Sequence, residues 1–165
     1  MARPIPAIPG PGQESVWEYP RPPRLESITR SIQIYFNDVL VVDATSAWRV
    51  LETSHAPVYY LNPADIRMAY LRRGSGHSWC EWKGQAAYFD VVVAGRTAEQ
   101  AAWTYEKPTR PFAPIANHIA FYAWAMDQCV VDGELVTPQP GRFYGGWITS
   151  DIVGPFKGEP GTQGW

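Results

Sequence analysis

From Ser31 onward apolar and polar positions alternate: Ile32, Ile34 and Phe36 lie between Ser31, Gln33 and Tyr35, and Asn37-Asp38 then leads into Val39, Leu40, Val41 and Val42. Side chains two apart share one face of a strand, so the pattern predicts a β-hairpin turned at Asn37-Asp38. Further strands are predicted over 47–52 and 58–61, separated by the polar turn Thr53-Ser54-His55-Ala56-Pro57. Asn62-Pro63-Ala64-Asp65 supplies an N-cap, a first-turn proline and an acidic third position, which predicts a short helix over 63–70. The run Arg72-Arg73-Gly74-Ser75-Gly76 ends it. Ala86, Tyr88 and Val91-Val92-Val93 predict a strand over 85–94 that turns at Ala94-Gly95 into a partner over 96–105. Beyond a proline-stiffened connector, Ile115, Ile119, Tyr122 and Met126 recur at helical spacing and predict one substantial helix over 112–129. The fold class expected is mainly β, of α+β type, with that one helix.

The two ends have a different character. Residues 1–23 hold seven prolines, which cannot propagate a helix or sit in a central strand, so they form an extended arm that Trp17 and Tyr19 are placed to anchor. Residues 137–165 are rich in Gly and Pro with spaced aromatics, Phe143, Tyr144, Trp147, Phe156 and Trp165. A single β domain over 24–136 is expected between them, since 165 residues suffice to bury a core without disulfide or metal staples. A net charge of −2 with 18% charged residues gives no basic footprint for nucleic acid or an acidic membrane surface. The longest apolar run, around 115–126, is short and is broken by Asn117 and His118, so no membrane span is expected. Two cysteines, Cys80 and Cys129, make no disulfide scaffold, and the first residues lack the apolar core of a signal peptide. The expected location is the cytoplasm.

Candidate chemistry concentrates in His77-Ser78-Trp79-Cys80-Glu81-Trp82-Lys83-Gly84, where a thiol, an imidazole, a carboxylate, an amine and two indoles share eight residues. Strand packing does not ask for that mixture, whereas small-molecule pockets are lined by aromatic groups with a few placed polar ones. Eight Trp and nine Tyr in this length add to the supply, because both carry a polar handle on an apolar body. Cys80 is a candidate nucleophile beside Lys83 or His77, against an inert buried thiol. His77 and Cys80 have metal-ligand spacing, and His55 is a conceivable third ligand, but one short pair is weak evidence and no metal is expected. Lys83, in a strand, would point away from Trp82 and hold an anion; the alternative is a surface lysine. Glu52 closes an apolar strand beside Ser54 and His55, a suitable place for an acid and a base, or for plain backbone capping. Of Tyr59 and Tyr60 one faces the pocket and the other the core, and Tyr59 is assigned to the pocket. Trp103 and Tyr105 share a face, as pocket wall or as core. Asp90, inside an apolar run, needs Lys83 or an arginine as partner. His118 and Tyr122 are assigned a structural role on the predicted helix.

Read in order, Glu52-Thr53-Ser54-His55-Ala56-Pro57-Val58-Tyr59-Tyr60, Cys80-Glu81-Trp82-Lys83-Gly84 and Ala101-Ala102-Trp103-Thr104-Tyr105 resemble domain-of-unknown-function family 427, over roughly residues 16–129. The ending, Tyr144-Gly145-Gly146-Trp147 through Phe156-Lys157-Gly158, resembles its longer members. The resemblance implies small twisted antiparallel sheets of tent-like type, akin to methionine-R-sulfoxide reductases and certain zinc modules. The family's label suggests nucleotidyl transfer, but no acidic pair follows Gly74-Ser75-Gly76 to hold a metal beside phosphates. Zinc-binding relatives use two cysteine pairs, which two cysteines cannot supply.

The leading expectation is a domain that binds a small polar or aromatic metabolite, with Ser54, Tyr59, Trp82 and Trp103 as ligand-binding residues and Glu52, His55, Lys83 and Cys80 as the chemical ones, with no cofactor. The alternatives are a protein-interaction or homo-oligomerisation module whose arms clasp a partner and, more weakly, a thiol or redox enzyme at Cys80 or a nucleotidyltransferase.

Overall fold

The structure, a computed structural model, describes residues 3–165; the first two residues of the arm lie outside it. The chain enters through β1 (Glu14–Ser15) and β2 (Arg24–Ile28), then forms β3 (Ile32–Phe36) and β4 (Val39–Ala44). Asn37 and Asp38 both take positive φ, 48° and 62°, the backbone a two-residue hairpin turn requires and that Asn and Asp tolerate best among residues with a side chain. β5 (Ala47–Leu51) and β6 (Val58–Tyr60) follow as the alternation predicts. β7 (Leu71–Cys80) pairs antiparallel with β8 (Gly84–Val93), and β8 pairs with β9 (Arg96–Thr104). The last part of the chain adds β10 (Ile119–Phe121), β11 (Gln128–Val131), β12 (Glu134–Leu135), β13 (Thr137–Pro138), β14 (Trp147–Ile148) and β15 (Ile152–Val153).

These strands make several small sheets: β10-β9-β8-β7, β12-β11-β3-β4, β2-β5-β6, and the pairs β13-β14 and β1-β15. All pair antiparallel except β1 with β15. The main core lies where the first two sheets face each other, with Ile32, Ile34, Phe36, Val42, Val91 and Phe121 at or near zero exposure. A second cluster gathers Tyr60, Trp103, Tyr105, Phe112 and Ile115, with Trp82, Tyr88 and Tyr122 packed against it.

The helices are the main departure from expectation. Helical structure among the described residues is confined to short 3₁₀ turns, so neither the helix over 63–70 nor the one over 112–129 forms. The first region holds two turns, Pro63–Asp65 and Met68–Tyr70, with Asn62 Oδ1 capping the former. The second splits into a turn at Arg110–Ile115, strand β10, a turn at Ala123–Ala125 and strand β11. Pro114 lacks an amide donor, and Asn117 at φ 61° reverses the chain, so the helical spacing of Ile115, Ile119 and Met126 reflects three separate burials. His118 and Tyr122 accordingly share no helix face.

Both ends are built into the body. Glu14 pairs with Ile152 and Ser15 with Val153, so the N-terminal arm and the C-terminal segment meet in one parallel ladder. Arg49, only 2% exposed, extends from β5 to Glu26 on β2 and to Glu14 on β1, and the Tyr19 hydroxyl donates to Glu14 at 2.6 Å. Buried charge is tolerable where each donor has an oxygen partner, and here the pairing fixes the arm to the β2-β5-β6 sheet. Asp90 does find an arginine, Arg72 at 3.1 Å, together with the Gln100 amide at 2.9 Å, which hold its carboxyl below the usual range. No helix among the described residues is long and apolar enough to cross a membrane.

Candidate functional site

The hairpin loop between β7 and β8 is three residues, Glu81-Trp82-Lys83, closed by the pair Cys80–Gly84. Gly84 takes φ 104°, a value that side-chain-bearing residues avoid and that a three-residue hairpin loop uses to rejoin its strand. Thr109 fastens this loop from the outside: its amide donates to the Lys83 carbonyl at 3.0 Å and its hydroxyl to the Trp82 carbonyl. Trp82 and Lys83 thus belong to a turn and not to a strand, which replaces the expected alternation of their side chains by placement from the loop. The Lys83 ammonium stands 5.7 Å from the Tyr105 ring centre and 5.8 Å from that of Phe112.

A second turn, residues 52–57, faces the same space and is gripped from both ends of the chain. The Thr53 amide donates to the Pro20 carbonyl, the Thr53 hydroxyl to the Tyr19 carbonyl at 2.6 Å, and the Ser54 amide to the Val16 carbonyl. From the C-terminal side, buried Gln139 accepts from the Ala56 amide at 3.0 Å and donates to the Lys157 carbonyl at 2.9 Å. His55 is oriented within this grip. Its Nδ1–H donates to the Thr53 carbonyl at 2.8 Å, because a carbonyl can only accept, and Nε2 is left as the acceptor edge. Burial lowers the imidazole's pKa, with Lys157 and Arg21 adding to the effect and the Glu52 carboxylate opposing it. Glu52 itself lies 3.4 Å from Arg21 and 3.9 Å from His55 Nδ1. The ring of Tyr144 meets His55 edge-on at 5.2 Å.

Between the two turns lies a cavity of about 360 Å³. Of the residues singled out from sequence, Glu52, His55, Cys80, Trp82, Lys83 and Trp103 all line it. Tyr59 does not: it is 1% exposed in the main core, stacked on Trp147 at 5.1 Å, and Tyr60 takes the cavity side. Ser54 is fully buried behind the turn at φ 70°, with no hydrogen-bond partner for its hydroxyl among the described residues, so it is not part of the lining. His77 points into a separate groove of about 580 Å³ with Gln85 and Lys107, apart from Cys80 and His55. The three therefore do not form one metal-ligand set, and no cluster of three or more His, Cys, Asp or Glu suited to a metal occurs among the described residues. Cys80 and Cys129 are both free thiols, the latter buried with its pKa raised by that burial.

Sequence reasoning missed part of the wall. Trp103 on β9 is flanked across the sheet by Tyr88 and stacks at a tilt on Tyr122, 4.5 Å away, while its indole N–H donates to the Tyr60 hydroxyl at 3.2 Å. Burial raises the pKa of Tyr60 and Tyr105 strongly and pushes Tyr122 up to about 12, so all three phenols keep their protons. The C-terminal part of the chain supplies a further stretch of wall through Gln139, Phe143, Tyr144, Gly145 and Gly146. A Cβ on Gly145 would sit 2.2 Å from the Trp103 ring and one on Gly146 2.5 Å from the Ala56 carbonyl, so two consecutive glycines let this segment lie flat against the indole and the His55 turn. The Gly-Gly pair among spaced aromatics was the available signal.

Residues 24–132 match the family described as "Domain of unknown function (DUF427)". Among curated proteins, none matches the chain. The wall formed by Gln139 and residues 143–146 lies outside the matched region.

Proposed function

The chain belongs to the DUF427 family, and we propose that it binds a small polar or aromatic molecule in the cavity between the 81–83 and 52–57 turns. What carries this reading is a convergence: aromatic rings from β6, β8 and β9, an ammonium and a histidine with a free acceptor edge all open onto the same 360 Å³ space. That volume is within the range of pockets that enclose small ligands, and aromatic walls with few polar groups are their usual lining. Acid–base chemistry is part of the proposal. His55, kept neutral by burial, presents Nε2 to accept a proton from a bound molecule, and the Glu52 carboxylate 3.9 Å from Nδ1 favours the imidazolium that results.

The test is ligand-observed saturation-transfer NMR with a panel of small polar aromatic compounds. Lys83→Ala should weaken transfer to the anionic members of the panel about tenfold while moving Tm by no more than about 2 °C, because Lys83 sits in a loop. Transfer to no compound of the panel, or anionic compounds held as tightly by the variant as by the wild type, would count against the proposal.

A second reading is favoured by one observation: Trp79, 74% exposed on the edge strand β7, and Phe143, 80% exposed, both lie on the cavity rim. Exposed aromatics of this size suit an interface with a second copy of the chain. A concentration-independent monomer in light scattering would remove that reading.

A further inference from the structure

Charged groups around the cavity are distributed unevenly, and the pattern bears on what can occupy it. Two of the lining rings already carry the protein's own cations: Lys83 lies 5.7 Å from the centre of Tyr105, and Lys157 lies over Tyr144 at 5.8 Å. Of the two lining carboxylates, Glu52 is engaged by Arg21 and Glu81 is exposed on the loop. Lys83 makes no ion pair among the described residues, and the hydroxyl of Tyr105, over whose ring Lys83 lies, has no hydrogen-bond partner among them, although the side chain is only 6% exposed. Two neighbouring side chains of the lining thus carry donors without protein acceptors. Elsewhere in the lining, the only unengaged nitrogen of His55 is an acceptor.

We infer that the occupant is a planar aromatic molecule bearing a carboxylate or similar anionic group, held by Lys83 and the Tyr105 hydroxyl, with a hydroxyl or N–H donor directed to His55 Nε2. This rests on the cavity reading proposed above and narrows it to one class of ligand. Trp82 and Trp103 supply flat faces for the ring, and offset stacking on them adds to the burial of its surface. A charge-assisted bond from an ammonium to a carboxylate in a partly desolvated site exceeds a neutral hydrogen bond by enough to discriminate about tenfold. A cationic ligand would meet like charge at Lys83 and Lys157.

Isothermal titration with matched carboxylate, carboxamide and methylammonium probes on hydroxybenzene, indole and naphthol rings tests the assignment. The carboxylate of at least one ring should bind about tenfold or more tightly than its carboxamide, with the methylammonium weakest. Lys83→Met should bring carboxylate and carboxamide to equal affinity, with the wild-type Tm retained. Carboxamide or methylammonium probes that bind as well as the carboxylates would overturn the inference and leave the cavity reading standing. If no probe of any charge binds on any ring, both fail together. A charge preference that survives Lys83→Met would place the anion elsewhere and overturn the assignment.

Discussion

At the scale of single residues, His55 shows how local bonding sets chemistry. Its imidazole pKa is lowered in the folded chain, chiefly by burial, with Glu52 facing it as the opposing charge and Arg21, Lys157 and the Tyr144 phenol as the other groups around it. A histidine held neutral by the fold contributes stability in full above its unfolded pKa near 6.5, and that contribution is lost as pH falls through the lower folded value. Wild-type Tm should therefore decline more steeply between pH 7 and pH 5 than that of His55→Asn, which retains a donor for the Thr53 carbonyl but cannot titrate. Parallel slopes in a thermal melt series would show that His55 is not buried as described. Tyr59 and Tyr60 illustrate a limit of sequence at this scale. Alternation requires that one face the pocket and one the core, but the choice depends on which side of β6 receives Trp147, a residue far along the chain that stacks on Tyr59. Ser54 looked like a polar turn residue, yet the arm and the C-terminal segment close over it.

Among elements, the hairpins were readable because period-two alternation and turn residues that tolerate positive φ agree, as at Asn37-Asp38 and at Gly95. The absent helix over 112–129 was not. Residues buried at intervals of three or four satisfy a helical pattern equally well when a 3₁₀ turn, a three-residue strand and another turn each bury one or two side chains. Ile119–Phe121 is committed to strand by its pairing with β9, a long-range contact that local periodicity does not encode. The candidate site fared better because its chemistry was concentrated in one loop. Trp82 and Lys83 were found by composition alone, although their directions come from the turn that Thr109 fastens.

Taken as a whole molecule, the cavity depends on segments far apart in sequence. The 52–57 turn donates hydrogen bonds to carbonyls of the N-terminal arm on one side, and on the other it donates to Gln139 and accepts from the Lys157 amide. Gly145 is a tight point of this assembly, and Gly145→Ala should cost about 1–3 kcal/mol, since the added methyl overlaps the Trp103 ring and either the indole or the segment must move. Denaturant melts should show that loss, and an unchanged midpoint would mean that the segment does not pack on Trp103. The most direct measurement of the central claim uses the chain's eight tryptophans as reporters, their indole N–H signals assigned by single Trp→Phe variants in ¹⁵N-correlated NMR. On titration with an aromatic carboxylate, the Trp82 and Trp103 signals should shift and saturate together while those of Trp17 and Trp147, packed elsewhere, hold still. Saturable shifts confined to Trp17 or Trp147, or none at Trp82 and Trp103 for any aromatic probe, would contradict a ligand in this cavity.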